Sequence, residues 1–165
     1  MSENLQIWRR KGKEAVENER ISQYTFRKDK PQEDGMYTFQ DLKDITEKLR
    51  SEKGCSWERE QTHESLKPCL LDECKEVLLA VDHQDKENLC EELGDVLYLV
   101  LLNSRIAEEN GDFTIEDVIN GVSEKMVRRH PHVFGGKQVN SREEEMALWK
   151  EIKKQEKAQR KPGNP

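Results

Sequence analysis

Paired cysteines are missing from this chain. Its four cysteines, Cys55, Cys69, Cys74 and Cys90, stand singly, with no Cys-x-x-Cys and no histidine at zinc-finger spacing. That excludes a disulfide framework and a structural zinc module, and predicts a reducing, cytoplasmic setting. A long hydrophobic run is missing too. The longest apolar stretch, residues 96–102, is far short of the roughly 20 residues that cross a bilayer, and the first 20 residues are too charged for a signal peptide, so no membrane partner is expected. Only 33% of the 165 residues are hydrophobic, and these concentrate between Phe39 and Trp149. They suffice for one domain with a core, not for two of ordinary size. A net charge of −6 excludes a surface built to coat a nucleic-acid polymer, while leaving room for a small anion bridged by a metal. Glycine-rich phosphate loops are absent as well: Gly135-Gly136 is a lone pair with no Lys-Ser/Thr after it.

What is present is helical periodicity. Residues 1–35 mix charge with few apolar groups and read as a flexible extension, in which Leu5, Ile7, Trp8 and Val16 are the material for a short docking helix. From Thr38 the stripe Phe39, Leu42, Ile45, Leu49 marks a helix that stops near Gly54, followed by a loop. A second helix is predicted over about 66–81, with Pro68 in its first turn. A third begins after an Asp85 cap and runs to about Asn110, where Gly111 suits a left-handed terminator. At 1.5 Å per residue it is a rod of about 37 Å. Thr114 with Asp117 opens a fourth helix, carrying Ile115, Val118, Ile119, Val122 and Met126 inward and ending at His130-Pro131. Ser141 with Glu144 opens a last one, and residues 158–165 form a flexible tail. No strand pattern appears. The expected fold is all-α, an up-down helical bundle spanning residues 36–157. The apolar surface of the third helix exceeds what one small bundle covers, which predicts a homodimer or higher homo-oligomer.

Two acidic pairs flank the polar break Asp82-His83-Gln84-Asp85: Glu73/Glu76 before it and Glu92/Asp95 after it. Each pair is spaced i, i+3 and so projects from one helix face. Folding about residue 84 sets Glu76 opposite Glu92 and Glu73 opposite Asp95. Four carboxylates at one level between packed helices repel and desolvate at a cost of several kcal/mol unless a cation neutralises them. Oxygen ligands of this kind select Mg²⁺, with Mn²⁺ the alternative. A solvated helix edge is the competing reading, because acidic pairs at helical spacing are common in a chain that is 38% charged. The apolar neighbours Leu70, Leu71, Val77, Leu78 and residues 96–102 argue for burial.

Other residues extend the chemistry toward phosphate. Lys125, Arg128 and Arg129 cluster at the end of the fourth helix and suit phosphate oxygens; basic residues in any last helical turn also answer the helix dipole. Trp57 has a flat ring for a nucleobase, or anchors its loop to the core, and Gln61 and His63 offer hydrogen bonds nearby. His130-Pro131-His132 lacks a third ligand at zinc spacing and reads as a turn. A metal-activated water is then a more economical nucleophile than any of the cysteines, and the reaction class is hydrolysis of a phosphate ester or anhydride.

Taken in order, Gly54-Cys55-Ser56-Trp57-Glu58, Gln61-Thr62-His63, Asp72-Glu73-Cys74-Lys75-Glu76, Glu92-Leu93-Gly94-Asp95 and Arg128-Arg129-His130-Pro131-His132-Val133-Phe134 resemble the MazG family of nucleoside triphosphate pyrophosphohydrolases, over about residues 39–157. The resemblance implies an all-α, oligomeric fold that binds Mg²⁺ and cleaves a nucleoside triphosphate between the α and β phosphates, leaving a monophosphate and pyrophosphate. By motif position, Glu73, Glu76, Glu92 and Asp95 become metal ligands, with Glu73 and Glu76 also catalytic. Lys125, Arg128 and Arg129 steer the triphosphate, with Trp57, Gln61 and His63 near the nucleotide. The sequence departs from the family at Asp72, usually Glu, at Ser56, usually Pro, and at Glu58, Cys69 and Lys75, which bears on base preference more than on the ligands. Two alternatives stay open: a non-catalytic helical module that binds nucleotide or protein, and an enzyme confined to one pyrimidine deoxynucleotide.

Overall fold

The computed structural model describes residues 37–159, all of whose regular elements are helices. The expected N-terminal extension with its docking helix, and the last six residues of the expected tail, lie outside the described residues. Those described form two compact units divided between Phe113 and Thr114.

The first unit holds α1 (Phe39–Arg50), α2 (Ser56–Glu60), α3 (His63–Asp82) and α4 (Lys86–Asn110). Thr38 starts α1 by a reciprocal cap: its Oγ1 accepts from the Asp41 amide, and Asp41 Oδ2 accepts from the Thr38 amide at 2.8 Å. Gly54 follows α1 because a β-carbon there would sit 2.2 Å from the Leu49 carbonyl oxygen. The segment after it, expected as a loop, winds into the short helix α2. The second helix begins earlier than expected. Thr62 and Ser65 cap one another, so α3 starts at His63 and Pro68 lies inside it rather than in its first turn. A proline so near the N-terminus removes a single helical hydrogen bond, and the cap sets the start.

The turn between α3 and α4 ends α3 in a Schellman motif: the Asp85 amide donates to the Ala80 carbonyl at 3.0 Å and the Gln84 amide to Val81 at 3.1 Å. Gln84 takes the left-handed position, φ 57°. Asp85 then caps α4 through Asn88, and Gly111, φ 78°, closes it, both as expected. The two long helices pack along one another with α1 against α4. Their core is Leu66, Leu99, Leu102 and Ile106, with Cys69 and Tyr98 packed on it. Each such aliphatic contributes roughly 1.5–3 kcal/mol by burial.

The second unit holds α5 (Ile115–Arg129), α6 (Pro131–Phe134) and α7 (Arg142–Gln159). The Thr114–Asp117 capping box is present. Of the α5 residues expected to face inward only Ile115 is buried; Val118, Ile119, Val122 and Met126 are exposed. Pro131 stops α5 and begins the single turn α6, since its ring fixes the backbone angle of a first helical residue.

Candidate active site

Glu73 is the eleventh residue of α3, and Glu92 and Asp95 lie in the first half of α4. The hairpin brings them together. One carboxylate oxygen from each of the three lies within 4.8 Å of one from each of the others. Glu73 and Glu92 are 2% exposed and Asp95 is half-buried. Glu76, one turn further along α3, is half-buried and stands outside this group of three. The expected proximity of Glu73 and Asp95 is therefore met, and Glu92, expected opposite Glu76, lies with Glu73 and Asp95. The helices need not lie at equal height about residue 84, because the turn itself takes up chain.

The donor set fits a hard divalent cation: three carboxylates from two rigid helices, converging where water is largely excluded. The surrounding field is anionic as well. Burial first, and then the charges of Glu73, Asp72 and Glu58, push the Cys69 thiol up, so this cysteine stays protonated and is a poor nucleophile. Lys75 pairs with Asp72 at 2.9 Å.

The segment before α3 is held by Arg50, a residue that no sequence motif marks. Its side chain is 7% exposed. Nε and Nη2 reach the Glu109 carboxylate, Nη2 at 2.7 Å, while Nη1 donates to the backbone carbonyls of Glu58 and Gln61. Arg50 thus bolts the turn carrying Trp57 to the far end of α4. Trp57 is half-buried on α2. Gln61 donates from Nε2 to the Trp57 carbonyl at 2.8 Å and accepts from Ser65 through Oε1 at 2.8 Å, so both ends of its amide serve the local turn. His63 Nδ1 lies 2.9 Å from Asn103 Oδ1, and Asn103 Nδ2 donates to the Leu99 carbonyl. With Asn103 Oδ1 facing it, Nδ1 of His63 is the donor of this pair.

Glu58, on the same turn, is buried, and its carboxyl is pushed above the ordinary glutamate range by desolvation, offset in part by Tyr98 and Arg50. Burial and the Glu58 charge push the Tyr98 phenol up in turn. Neither Glu58 Oε2 nor the Tyr98 hydroxyl meets a partner in ordinary hydrogen-bond geometry, so desolvation dominates.

The basic cluster belongs to the second unit. Lys125 is half-buried, while Arg128 and Arg129 both turn to Glu156 on α7. Arg129 and Lys153 also lie over the Trp149 ring, 5.8 and 4.4 Å from its centroid. Glu156 is not legible from the sequence as a partner, because nothing local joins residues that distant along the chain.

Residues 61–134 match the family described as the MazG nucleotide pyrophosphohydrolase domain. A solved structure, of a MazG-related protein from Thermotoga maritima, matches with a TM-score of 0.59 at 37% identity, over 70% of this chain and 98% of that one. The chain belongs to the MazG family. Among curated MazG relatives, the nucleoside triphosphate pyrophosphohydrolase/pyrophosphatase MazG of Thermotoga maritima is 51% identical over 74% of this chain and 47% of its own length. An uncharacterized Bacillus subtilis protein, YabN, is 50% identical over 73% of this chain and 25% of its own length. The chain therefore spans about half or less of these curated relatives. Every acidic residue of the cage lies within the part that matches the MazG family.

Proposed function

We propose that this chain is a divalent-cation-dependent hydrolase that cleaves nucleoside triphosphates between the α and β phosphates, giving a monophosphate and pyrophosphate and clearing surplus or non-standard nucleotides. The observation that carries this reading is the convergence of Glu73, Glu92 and Asp95 within 4.8 Å. Glu76 completes the ligand set from the next turn of α3. Mg²⁺ is the preferred ion and Mn²⁺ a substitute, because the donors are all carboxylate oxygens. Bound there, such an ion neutralises phosphate oxygens and makes a coordinated water more acidic.

The chain's own residues divide the remaining work. Glu73 and Glu76 orient the attacking water and accept its proton. Lys125, Arg128 and Arg129 receive the negative charge of the triphosphate, arginine in a fork and lysine as a point charge. Trp57 contacts the nucleotide, held for it by Gln61 and Arg50, and His63 offers a ring nitrogen for a hydrogen bond. Four free cysteines support a reducing, cytoplasmic setting. Exposed leucines on α3 and α4 support assembly into a homodimer or larger homo-oligomer.

Pyrophosphate release from a panel of common triphosphates tests the reading. Glu73→Ala and Asp95→Ala should each reduce the Mg²⁺-dependent rate by about 100-fold or more with helical circular dichroism intact. Adding Mg²⁺ should raise the melting temperature of the wild type, and a chelator should reverse the gain. Full activity in either variant would refute the assignment, and triphosphate binding without turnover in the wild type would favour the non-catalytic module.

A further inference from the structure

Arg128 and Arg129 close on a single carboxylate. Nε and Nη2 of Arg128 lie 2.9 and 2.7 Å from Oε1 of Glu156, and those of Arg129 lie 3.0 and 2.6 Å from Oε2. Each guanidinium fork therefore takes one oxygen, and the Glu156 side chain is only 17% exposed. This is how two arginines hold a phosphate group, with a carboxylate in its place. Beside it opens a cleft of about 400 Å³, whose walls include Arg128, Lys137, Gln155 and Glu156. Lys137 joins Arg128 as the second cation on that cleft's wall, and Glu151 joins Glu156 as the second carboxylate. The cleft is ample for a diphosphate, and Glu156 neutralises part of the positive charge that Arg128 and Lys137 bring to it.

We propose that Glu156 is a built-in competitor for a diphosphate group at the Arg128–Arg129 pair, so that an incoming diphosphate binds by displacing the α7 carboxylate. This rests on the reading above that these arginines receive phosphate oxygens. The exchange is favourable only for an anion with more charge than one carboxylate. A monoanion or a neutral sugar has nothing to gain by breaking two forks, whereas a diphosphate offers several oxygens to the same donors. Glu156 thus sets an affinity threshold that selects for consecutive phosphates. A purely structural ion pair predicts the opposite outcome: without Glu156 the two guanidiniums repel, spread apart and bind anions less well.

Calorimetric titration of the full chain with inorganic pyrophosphate and with an α,β-imido nucleoside triphosphate separates the two. Glu156→Gln keeps the shape and removes the charge, and should tighten binding of both ligands by about five- to tenfold. Tightening for pyrophosphate alone upholds the competitor and assigns the cleft to the released product. Unchanged or weaker binding by a variant with native circular dichroism overturns the proposal. The wild type gives a second test that does not depend on how the variant folds. Saturating pyrophosphate should speed amide hydrogen exchange along α7 around Glu156; slower exchange there also overturns it. Both readouts are of binding, so a chain that behaved this way yet released no pyrophosphate would keep this inference and lose the hydrolase reading.

Discussion

A buried carboxylate has two ways of existing in a fold, and this chain uses both within its first unit. Glu73 and Glu92 share their space with Asp95, a geometry in which a divalent cation relieves the crowding. Glu58 instead has a phenol beside it and Arg50 at a distance, and its burial raises its proton affinity. A carboxyl whose folded-state pKa lies above its unfolded value supports the fold below the unfolded value and loses that support as pH rises through the folded one. Removing the charge should therefore stabilise the protein where Glu58 would otherwise ionise. Glu58→Gln is expected to melt above the wild type at pH 8, the difference vanishing below the ordinary glutamate value of 4.5. Thermal melts across that range check it, and a pH-independent difference would mean that the carboxyl is not desolvated.

At the scale of elements, the cage depends on a turn. The α3–α4 connection is short, and its Schellman bonds hold the two helices at the height where their acids meet. Gln84 occupies a left-handed conformation that side chains disfavour, φ 57°. Gln84→Gly should stabilise the protein by about 0.5–1 kcal/mol, because glycine takes that conformation without steric penalty. Urea unfolding with an unchanged m-value would measure it; a loss of stability would show that the Gln84 side chain contributes more than its backbone strain removes. The equivalent position after α4 already carries Gly111.

At the scale of the whole molecule, the apolar surface is unbalanced. Leu71, Leu78, Leu79 and Leu93 are each more than half exposed on the two longest helices, and Leu97 and Val100 continue the surface. Patches of that kind on a well-ordered helical pair are characteristic of subunit interfaces. Sedimentation equilibrium should find a particle at least twice 19.4 kDa, and Leu78→Asp with Leu71→Asp should shift it toward that single-chain mass. A wild type that sediments as a single chain at micromolar concentration would remove the case for a homo-oligomer. Such a result would also leave the reach of the carboxylate cage unchanged, because all three converging acids come from one chain.

Local rules in the sequence determined the helices, since capping residues and apolar spacing act within a few residues of one another. Thr38, Asp85, Thr114 and Gly111 all do what their positions predict. Pro68 misled because a proline marks a start only when no stronger cap precedes it, and Thr62 with Ser65 does. Three things waited for the tertiary structure: which acids converge, that Arg50 ties the Trp57 turn to Glu109, and that Arg128 and Arg129 are held by Glu156. Each joins side chains from separate helices, where a shift of one residue in packing changes every partner. No spacing along a single chain encodes that shift; it is decided by how the helices fit against each other.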